Sequence, residues 1–459
     1  MKNYKWPRPI GFTPFDHQRE TAQFLSDNAR GFCFNEQGTG KTASVIWAAD
    51  YLMTAGMIKR VLVVCPLSIM QSAWQADLFK FAVHRTVDVA YGSTEKRKKI
   101  ANSSAEFVVI NYDGIPAIAE LAIAGKMFDL IVIDEANAYK NVQTKRWKLM
   151  KKLLTPDTWL WMLTGTPAAQ SPVDAYGLGK LCVPNRAPKF FGDYRDSVMQ
   201  QAGPFRWIPR QNAEQTVFDM LQPAIRFEKA QCLDLPEVTH VNRVAPLTPQ
   251  QRKYYKELKD QMLTEAAGEE ISSVNAAAKM NKLLQISCGA VYTDSGAVID
   301  FDVSNRLAAV EEVINESSHK VLVFVPFRHT ITLLQNYIIK AGIKCDVIHG
   351  DVPVRKRTEI FKKFQETNDL KVLVIQPQAA AHGVTLTAAN TIIWYAPVTS
   401  TETYLQANAR IDRPGQRNPM TIVHIEGSPV ERRLYTMLQS NINNHEKVVD
   451  LYKKELEEA

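Results

Sequence analysis

The segment Asn35-Glu-Gln37-Gly38-Thr39-Gly40-Lys41-Thr42 sets two glycines, a lysine and a hydroxyl residue at the spacing of a phosphate cradle. Glycines let the backbone turn tightly, so that its N–H groups face phosphate oxygens. The N-terminus of a following helix adds the positive end of its dipole. The setting suits this role, because a strand-like run, Gly31-Phe-Cys-Phe34, precedes the segment and an apolar helical pattern over 43–53 follows it. Gln37, Gly38, Thr39 and Gly40 would then wrap the phosphates. Lys41 would reach the β- and γ-phosphates, and the Thr42 hydroxyl would bind Mg2+. The strict pattern opens on glycine where this chain has Asn35. Asparagine enters left-handed backbone more readily than most residues, which makes the departure mild.

A matching acidic element follows in Leu130-Ile-Val-Ile133-Asp134-Glu135-Ala136-Asn137. An apolar strand ending in two carboxylates puts them at the C-terminal edge of a sheet, where ligands bind in such folds. Asp134 would hold Mg2+ through water, and Glu135 would orient and deprotonate the attacking water. Together the two elements spell nucleoside triphosphate hydrolysis. Upstream, in Phe15-Asp-His-Gln18, the Gln18 amide can donate to and accept from an adenine edge, which would select ATP. Leu163-Thr-Gly-Thr-Pro167 closes the next strand with hydroxyls able to sense the nucleotide.

Far downstream, Gln406, Arg410 and Arg413 stand at i, i+4 and i+7, and on a helix they share one face. Pro414-Gly415 would stop that helix just after Arg413. Arginines stabilise the spread charge of a phosphoryl transition state. A nucleotide cradled by one half of the chain and completed by arginines of the other would couple hydrolysis to movement, as in a motor. The competing reading is a solvated basic face paired with Asp412 or Glu402.

The elements that must position these groups are short apolar runs alternating with helical or loop segments. They fall at 31–34, 61–65, 107–110, 130–133 and 159–163, and again at 321–325, 372–375, 391–395 and 421–425. Runs of four or five apolar residues without alternation suit strands buried on both faces of parallel, doubly wound sheets. The pattern occurs twice, so the fold class is α/β with two lobes. Between them, prolines at 172, 184, 188, 204 and 209 precede amphipathic stretches at 250–265 and 276–286, with a hinge point expected at Leu233-Asp-Leu-Pro236. The charged end, 447–459, reads as a terminal helix.

At 459 residues the chain is too long for one ordinary core. No apolar run reaches the length of a membrane span, and the first residues lack a secretory core. Six scattered cysteines without a Cys-x-x-Cys pair argue against zinc and for a reducing cytoplasm. A net charge of +7 permits a polyanionic partner without requiring one. The run Lys96-Arg-Lys-Lys99 is read as a solvated face rather than a phosphate contact.

With these residues in place, the chain resembles an ATPase of helicase superfamily two and, within it, a Swi/Snf-type DNA translocase, most like small bacteriophage and prophage members. Phe15–Gln18 resembles the Q motif, 35–42 motif I, 63–68 motif Ia, 109–113 motif Ib, 134–137 motif II and 163–167 motif III. In the second half, 323–327 resembles motif IV, 378–389 motif V and 406–416 motif VI. The subfamily is marked by Leu163-Thr-Gly-Thr-Pro167, by Leu235-Pro-Glu-Val238 with Leu247-Thr-Pro-Gln-Gln251, and by Arg413-Pro-Gly-Gln416. The resemblance implies two RecA-like lobes with helical insertions between motifs III and IV. Lobe 1 would span 1–235, with an insertion near 170–230. Lobe 2 would span 236–459, with a connector and insertion near 245–300. It also implies use of ATP and Mg2+, and sequence-independent binding of duplex DNA, forked or branched forms included, by a monomer.

The DNA contacts carried over by motif are Pro66, Ser68, Asn111, Tyr112, Phe327, Arg328, His349, Gly350, Gln378 and His382. Two positions depart from the family. Motif II has Asn137 where histidine is usual, with a hydrogen bond across the cleft still available to it. Motif V has Pro377 where a hydroxyl residue is common. A strand-separating or branch-migrating helicase fits the same motifs. A nucleotide-switched assembly factor with little turnover predicts the loss of Glu135 or of the arginines, and all are present.

Overall fold

A computed structural model describes all residues except 169–170, 204–205, 233–234, 267–272, 293–297, 380–383 and 441–459. The chain divides into two compact units, Met1–Asp234 and Leu235–Ala459. The expected hinge residues Leu233 and Asp234, the terminal helix and His382 lie outside the described residues.

Unit 1 is built on β1 (Arg30–Cys33), β2 (Val61–Cys65), β3 (Val87–Ala90), β4 (Phe107–Asn111), β5 (Leu130–Asp134) and β6 (Trp159–Leu163). A hairpin, β7 (Met199–Gly203) with β8 (Arg206–Pro209), stands apart, and β9 (Ala224–Ile225) closes the sheet. The order is β3-β4-β2-β5-β6-β1-β9, and every pairing is parallel. The continuous apolar runs are explained by their burial on two sides. Leu62, Val64, Val108, Ile110, Ile131 and Ile133 face one hydrophobic cluster. Their neighbours Val61, Val63, Phe107, Val109, Leu130 and Val132 face the other. Side chains alternate across a strand, so a helical layer on each face needs an apolar residue at every position. A fully buried valine or leucine contributes about 1.5–3 kcal/mol relative to exposure, so such a sheet is a rigid platform for the loops at its edge. Two helices matter for the site: α1 (Asp16–Asp27) and α2 (Lys41–Thr54).

Unit 2 repeats the plan. Its strands are β10 (Val238–Val244), the hairpin β11 (Ala290–Tyr292) and β12 (Val298–Asp300), β13 (Lys320–Phe324), β14 (Cys345–Ile348), β15 (Val372–Ile375), β16 (Ala389–Trp394) and β17 (Met420–Glu426). The main sheet runs β10-β17-β16-β13-β15-β14, all parallel. The amphipathic stretches at 250–265 and 276–286 fall in helices Pro249–Ala266 and Ser273–Cys288 of this unit. A buried ion pair braces this unit. The Arg306 guanidinium donates to the Glu431 carboxylate and to the carbonyls of Ser287 and Ile425, with both side chains almost fully buried.

All nine strands expected from apolar runs are present. The strands not anticipated include both edges of each sheet: β3, β9, β10 and β14.

Candidate nucleotide-phosphate site

β1 ends at Cys33 and α2 begins at Lys41, so the phosphate loop lies at the C-terminal edge of the unit 1 sheet. Gly38 (φ 86°) and Gly40 (φ 81°) both adopt left-handed backbone, as a tight cradle requires. Gly40 has a second reason to be glycine: a Cβ there would fall 2.1 Å from Gln18 Nε2. Gln18 and its neighbour His17 sit on α1 and are buried against the loop. Gln18 Nε2 donates to the Thr39 carbonyl at 3.3 Å, and His17 Nε2 lies 2.8 Å from the same oxygen. The Gln18 side-chain Oε1 accepts from Phe15 N at 3.1 Å, which caps α1. In this structure Gln18 thus braces the loop. His17 does so too, and nothing in the spacing of the sequence singled it out.

Asn35 corrects one expectation. It is not among the residues with positive φ, so left-handed tolerance is not why asparagine serves here. Its amide is buried and pins the loop instead: Nδ2 donates to Thr21 Oγ1 at 2.8 Å, and Oδ1 accepts from Phe227 N at 3.0 Å. Lys41 Nζ donates to the carbonyls of Asn35 (2.7 Å) and Glu36 (3.1 Å), arching back over the loop. Thr42, in the first turn of α2, is half-buried, and Gln37 lies beside Gly165 of the neighbouring loop.

The acidic pair ends β5, next to β6 in the sheet. Asp134 Oδ2 accepts from Trp74 Nε1 at 2.9 Å and Oδ1 from Glu135 N at 3.0 Å. Burial pushes the Asp134 carboxyl above the usual carboxylate range, against the pull of the Trp74 N–H, the Lys41 charge and the Glu135 amide. Glu135 takes a left-handed conformation (φ 51°, ψ 59°), rare for a residue with a side chain and costing on the order of 1–3 kcal/mol. Tyr112 holds this turn, its hydroxyl donating to the Asp134 carbonyl at 2.5 Å and the Glu135 carbonyl at 3.3 Å. The Asn137 amide donates to the carbonyl (2.9 Å) and hydroxyl (3.3 Å) of Thr166, which gives it a partner inside unit 1. The two loops after β5 and β6 are therefore tied, and Thr164 N donates to Cys33 O at the root of the phosphate loop.

The donor set fits Mg2+ bound with a nucleotide. One carboxylate and one hydroxyl complement phosphate oxygens and waters in such sites, and no cluster of three or more His, Cys, Asp or Glu is arranged to hold a metal alone among the described residues.

In unit 2 the arginine segment departs from expectation. The helix runs Thr401–Asn408 and stops before Arg410, so Gln406, Arg410 and Arg413 do not share a helical face, and Pro414 is not what ends it. Tertiary hydrogen bonds take over. Asn408 Oδ1 accepts from the Trp394 indole at 2.9 Å, the Arg410 carbonyl accepts from Leu386 N, and Gln416 Nε2 donates to the carbonyls of Ala389 and Ile411. Arg410 is buried, with Nη1 donating to the Val384 carbonyl at 3.2 Å. Arg413 is half-exposed, with Nε on Ala409 O at 2.7 Å and Nη1 on Thr385 Oγ1 at 3.3 Å. Gln406 is buried and donates to Glu402 Oε1 at 3.3 Å.

The described residues among those carried over as DNA contacts lie at or just beyond the C-terminal ends of strands of their own sheets, with Arg328 opening the helix Arg328–Lys340. Pro66 is buried and Ser68 half-buried after β2, while Asn111, at the end of β4, accepts from Arg97 Nη2 at 3.3 Å. Tyr112 is committed to the acidic turn. Beyond β13, Phe327 packs against the core, and Arg328 pairs with Asp351 at the surface. His349 follows β14, Gly350 N donates to Gln376 Oε1 at 3.2 Å, and Gln378 is exposed after β15.

Residues 17–289 match the SNF2-related domain, and residues 305–415 match the helicase conserved C-terminal domain. The chain is similar to protein p41 of Acyrthosiphon pisum secondary endosymbiont phage 1, at 25% identity over 90% of this chain and 93% of that one. It is equally similar (25%) to an uncharacterized ATP-dependent helicase of Mycoplasma genitalium over 87% of this chain, but spans only 38% of that protein's length. Among solved structures, the Sulfolobus solfataricus SWI2/SNF2 ATPase core in complex with dsDNA is 22% identical, covers 95% of this chain and 93% of its own, and superposes with a TM-score of 0.46.

Proposed function

The chain belongs to the SNF2-related family, and from that premise we propose that it is a DNA-dependent ATPase that hydrolyses ATP to ADP and phosphate and moves along double-stranded DNA. The observation that carries this reading is the assembly, on one sheet edge of unit 1, of a left-handed glycine cradle, Lys41, Asp134 and Glu135. The loop amides and α2 would hold the phosphates, and Lys41 would exchange its two carbonyl partners for phosphate oxygens. Thr42 and Asp134 would hold Mg2+, which when bound neutralises developing phosphate charge. Glu135, held in its left-handed turn, would orient the attacking water and accept its proton. The Asn137–Thr166 bonds would carry the state of the acidic turn into the following loop.

Arg413 is assigned the transition-state charge. Arg413, half-exposed, would meet the phosphates, and buried Arg410 would steady its segment. DNA would be gripped through its backbone by the loops at 66–68, 111–112, 327–328, 349–350 and 378, giving sequence-independent, salt-sensitive binding.

The test pairs triplex displacement with unwinding of a forked duplex. Displacement without unwinding is expected, and Glu135→Gln should bind ATP yet do neither. Efficient unwinding would instead make the protein a strand-separating helicase. ATPase activity stimulated only by RNA would overturn the DNA assignment.

A further inference from the structure

Trp74 lies 60 positions before Asp134, in a segment to which the sequence assigns no chemistry, yet its indole hydrogen-bonds the Asp134 carboxylate. Its indole is fully buried and donates to Oδ2 at 2.9 Å. The backbone amide of Glu135 takes Oδ1. With a donor on each oxygen, the carboxylate plane cannot rotate without breaking a hydrogen bond.

The backbone that delivers the indole is unusual. Met70–Gln75 is a π-helix, inserted between the 3-10 turn Leu67–Ile69 and the α-helix Ala76–Phe81. The wider turn changes the angle at which side chains leave the helix, and such turns concentrate at functional sites. The segment starts at Pro66, where β2 ends beside β5. Trp74 also packs in the hydrophobic cluster on the α2 side of the sheet, together with Val45, Val63 and Val132. Packing alone would be served by phenylalanine or leucine; the N–H directed at a carboxylate would not.

We propose that Trp74 is a positioning residue for the metal-binding carboxylate: its N–H fixes Asp134 in the orientation that receives the hydrated Mg2+ of the nucleotide. This rests on the ATPase reading above. Groups that orient metal ligands in this way typically change metal affinity about 10- to 100-fold when removed.

The test is Trp74→Phe, which deletes the donor and keeps most of the apolar volume. The affinity for a fluorescent ADP analogue is measured in EDTA and across a Mg2+ titration. The expected result is unchanged binding in EDTA and a half-saturating Mg2+ concentration raised at least about tenfold. An unchanged Mg2+ dependence in a folded variant overturns the proposal. If wild-type protein binds the analogue without any response to Mg2+, the ATPase reading fails first, so the two failures are distinguishable.

A second measurement needs no Trp74 variant. In wild-type protein carrying 5-fluorotryptophan at its eight tryptophans, one resonance should shift when Mg2+ is added to the ADP complex. The same resonance should be displaced in ligand-free Asp134→Asn. A spectrum indifferent to both changes refutes the assignment.

Discussion

Gly40→Ala tests whether the phosphate loop and α1 are built as one piece. Two costs can be separated. The first is conformational, since φ is 81° at this position and an L-residue held in left-handed backbone costs about 1–2 kcal/mol. The second is steric, since the new Cβ would lie 2.1 Å from Gln18 Nε2 and 3.3 Å from Gln18 Cδ, so that side chain must leave. Its departure breaks the bonds to Thr39 O and from Phe15 N, each contributing about 0.5–1.5 kcal/mol. Gly40→Ala should therefore destabilise the loop by about 2–5 kcal/mol in the wild-type background. In a Gln18→Ala background the steric cost and the hydrogen bonds are already gone, and the same substitution should cost only about 1–2 kcal/mol. Hydrogen exchange of the amides over residues 38–54 reads the local opening free energy, with about 1.4 kcal/mol per tenfold change in protection. The double-mutant cycle should give a coupling of about 1–3 kcal/mol. Equal costs in the two backgrounds would show that Gln18 does not occupy the space above Gly40, and the reasoning would fail.

Arg413→Ala should lower DNA-stimulated ATPase activity by about 1000-fold or more while leaving ADP affinity unchanged, as steady-state kinetics and a binding titration would show. Normal hydrolysis in this variant would sink the arginine assignment. In unit 2, burial and then the neighbouring His240 push the His424 imidazole down to about 3. A base whose folded pKa lies below its unfolded value of about 6.5 takes up its proton on unfolding. Stability of unit 2 should fall as pH drops from about 6.5 towards 3, by up to about 1.4 kcal/mol per pH unit from this residue. Denaturant unfolding of wild type and His424→Gln across that range should show the slope flattened in the variant.

His424 also illustrates how tertiary contacts act on the arginine segment. Gln439 donates to its Nδ1 at 3.1 Å, so its Nε2 carries the proton towards the Tyr404 hydroxyl at 2.8 Å, on the helix that leads to Arg410. The i, i+4, i+7 spacing of residues 406, 410 and 413 does not produce a shared helical face. The chain leaves the helix at Asn408, where Asn408 and Arg410 find partners in Trp394 and Val384, more than three helical turns away in sequence. Local periodicity carries no information about such partners.

Features that depend on neighbouring residues can be read directly from the chain. The left-handed glycines, the lysine one step beyond and the carboxylates at a strand end are local geometries, legible from residue type and spacing. The nine central strands were legible because burial on both faces demands an uninterrupted apolar run. The edge strands were not, since they are covered on fewer sides: Val238–Val244 is largely exposed, and Val87–Ala90 and Cys345–Ile348 each carry an aspartate. The pinning role of Asn35, the loop brace made by His17 and Gln18, and the Trp74 indole on Asp134 arise from long-range packing. In each case the side chain satisfies a buried polar group supplied by another part of the chain. A buried donor must find an acceptor, but which one it finds is settled by the packing of the sheet and its helices.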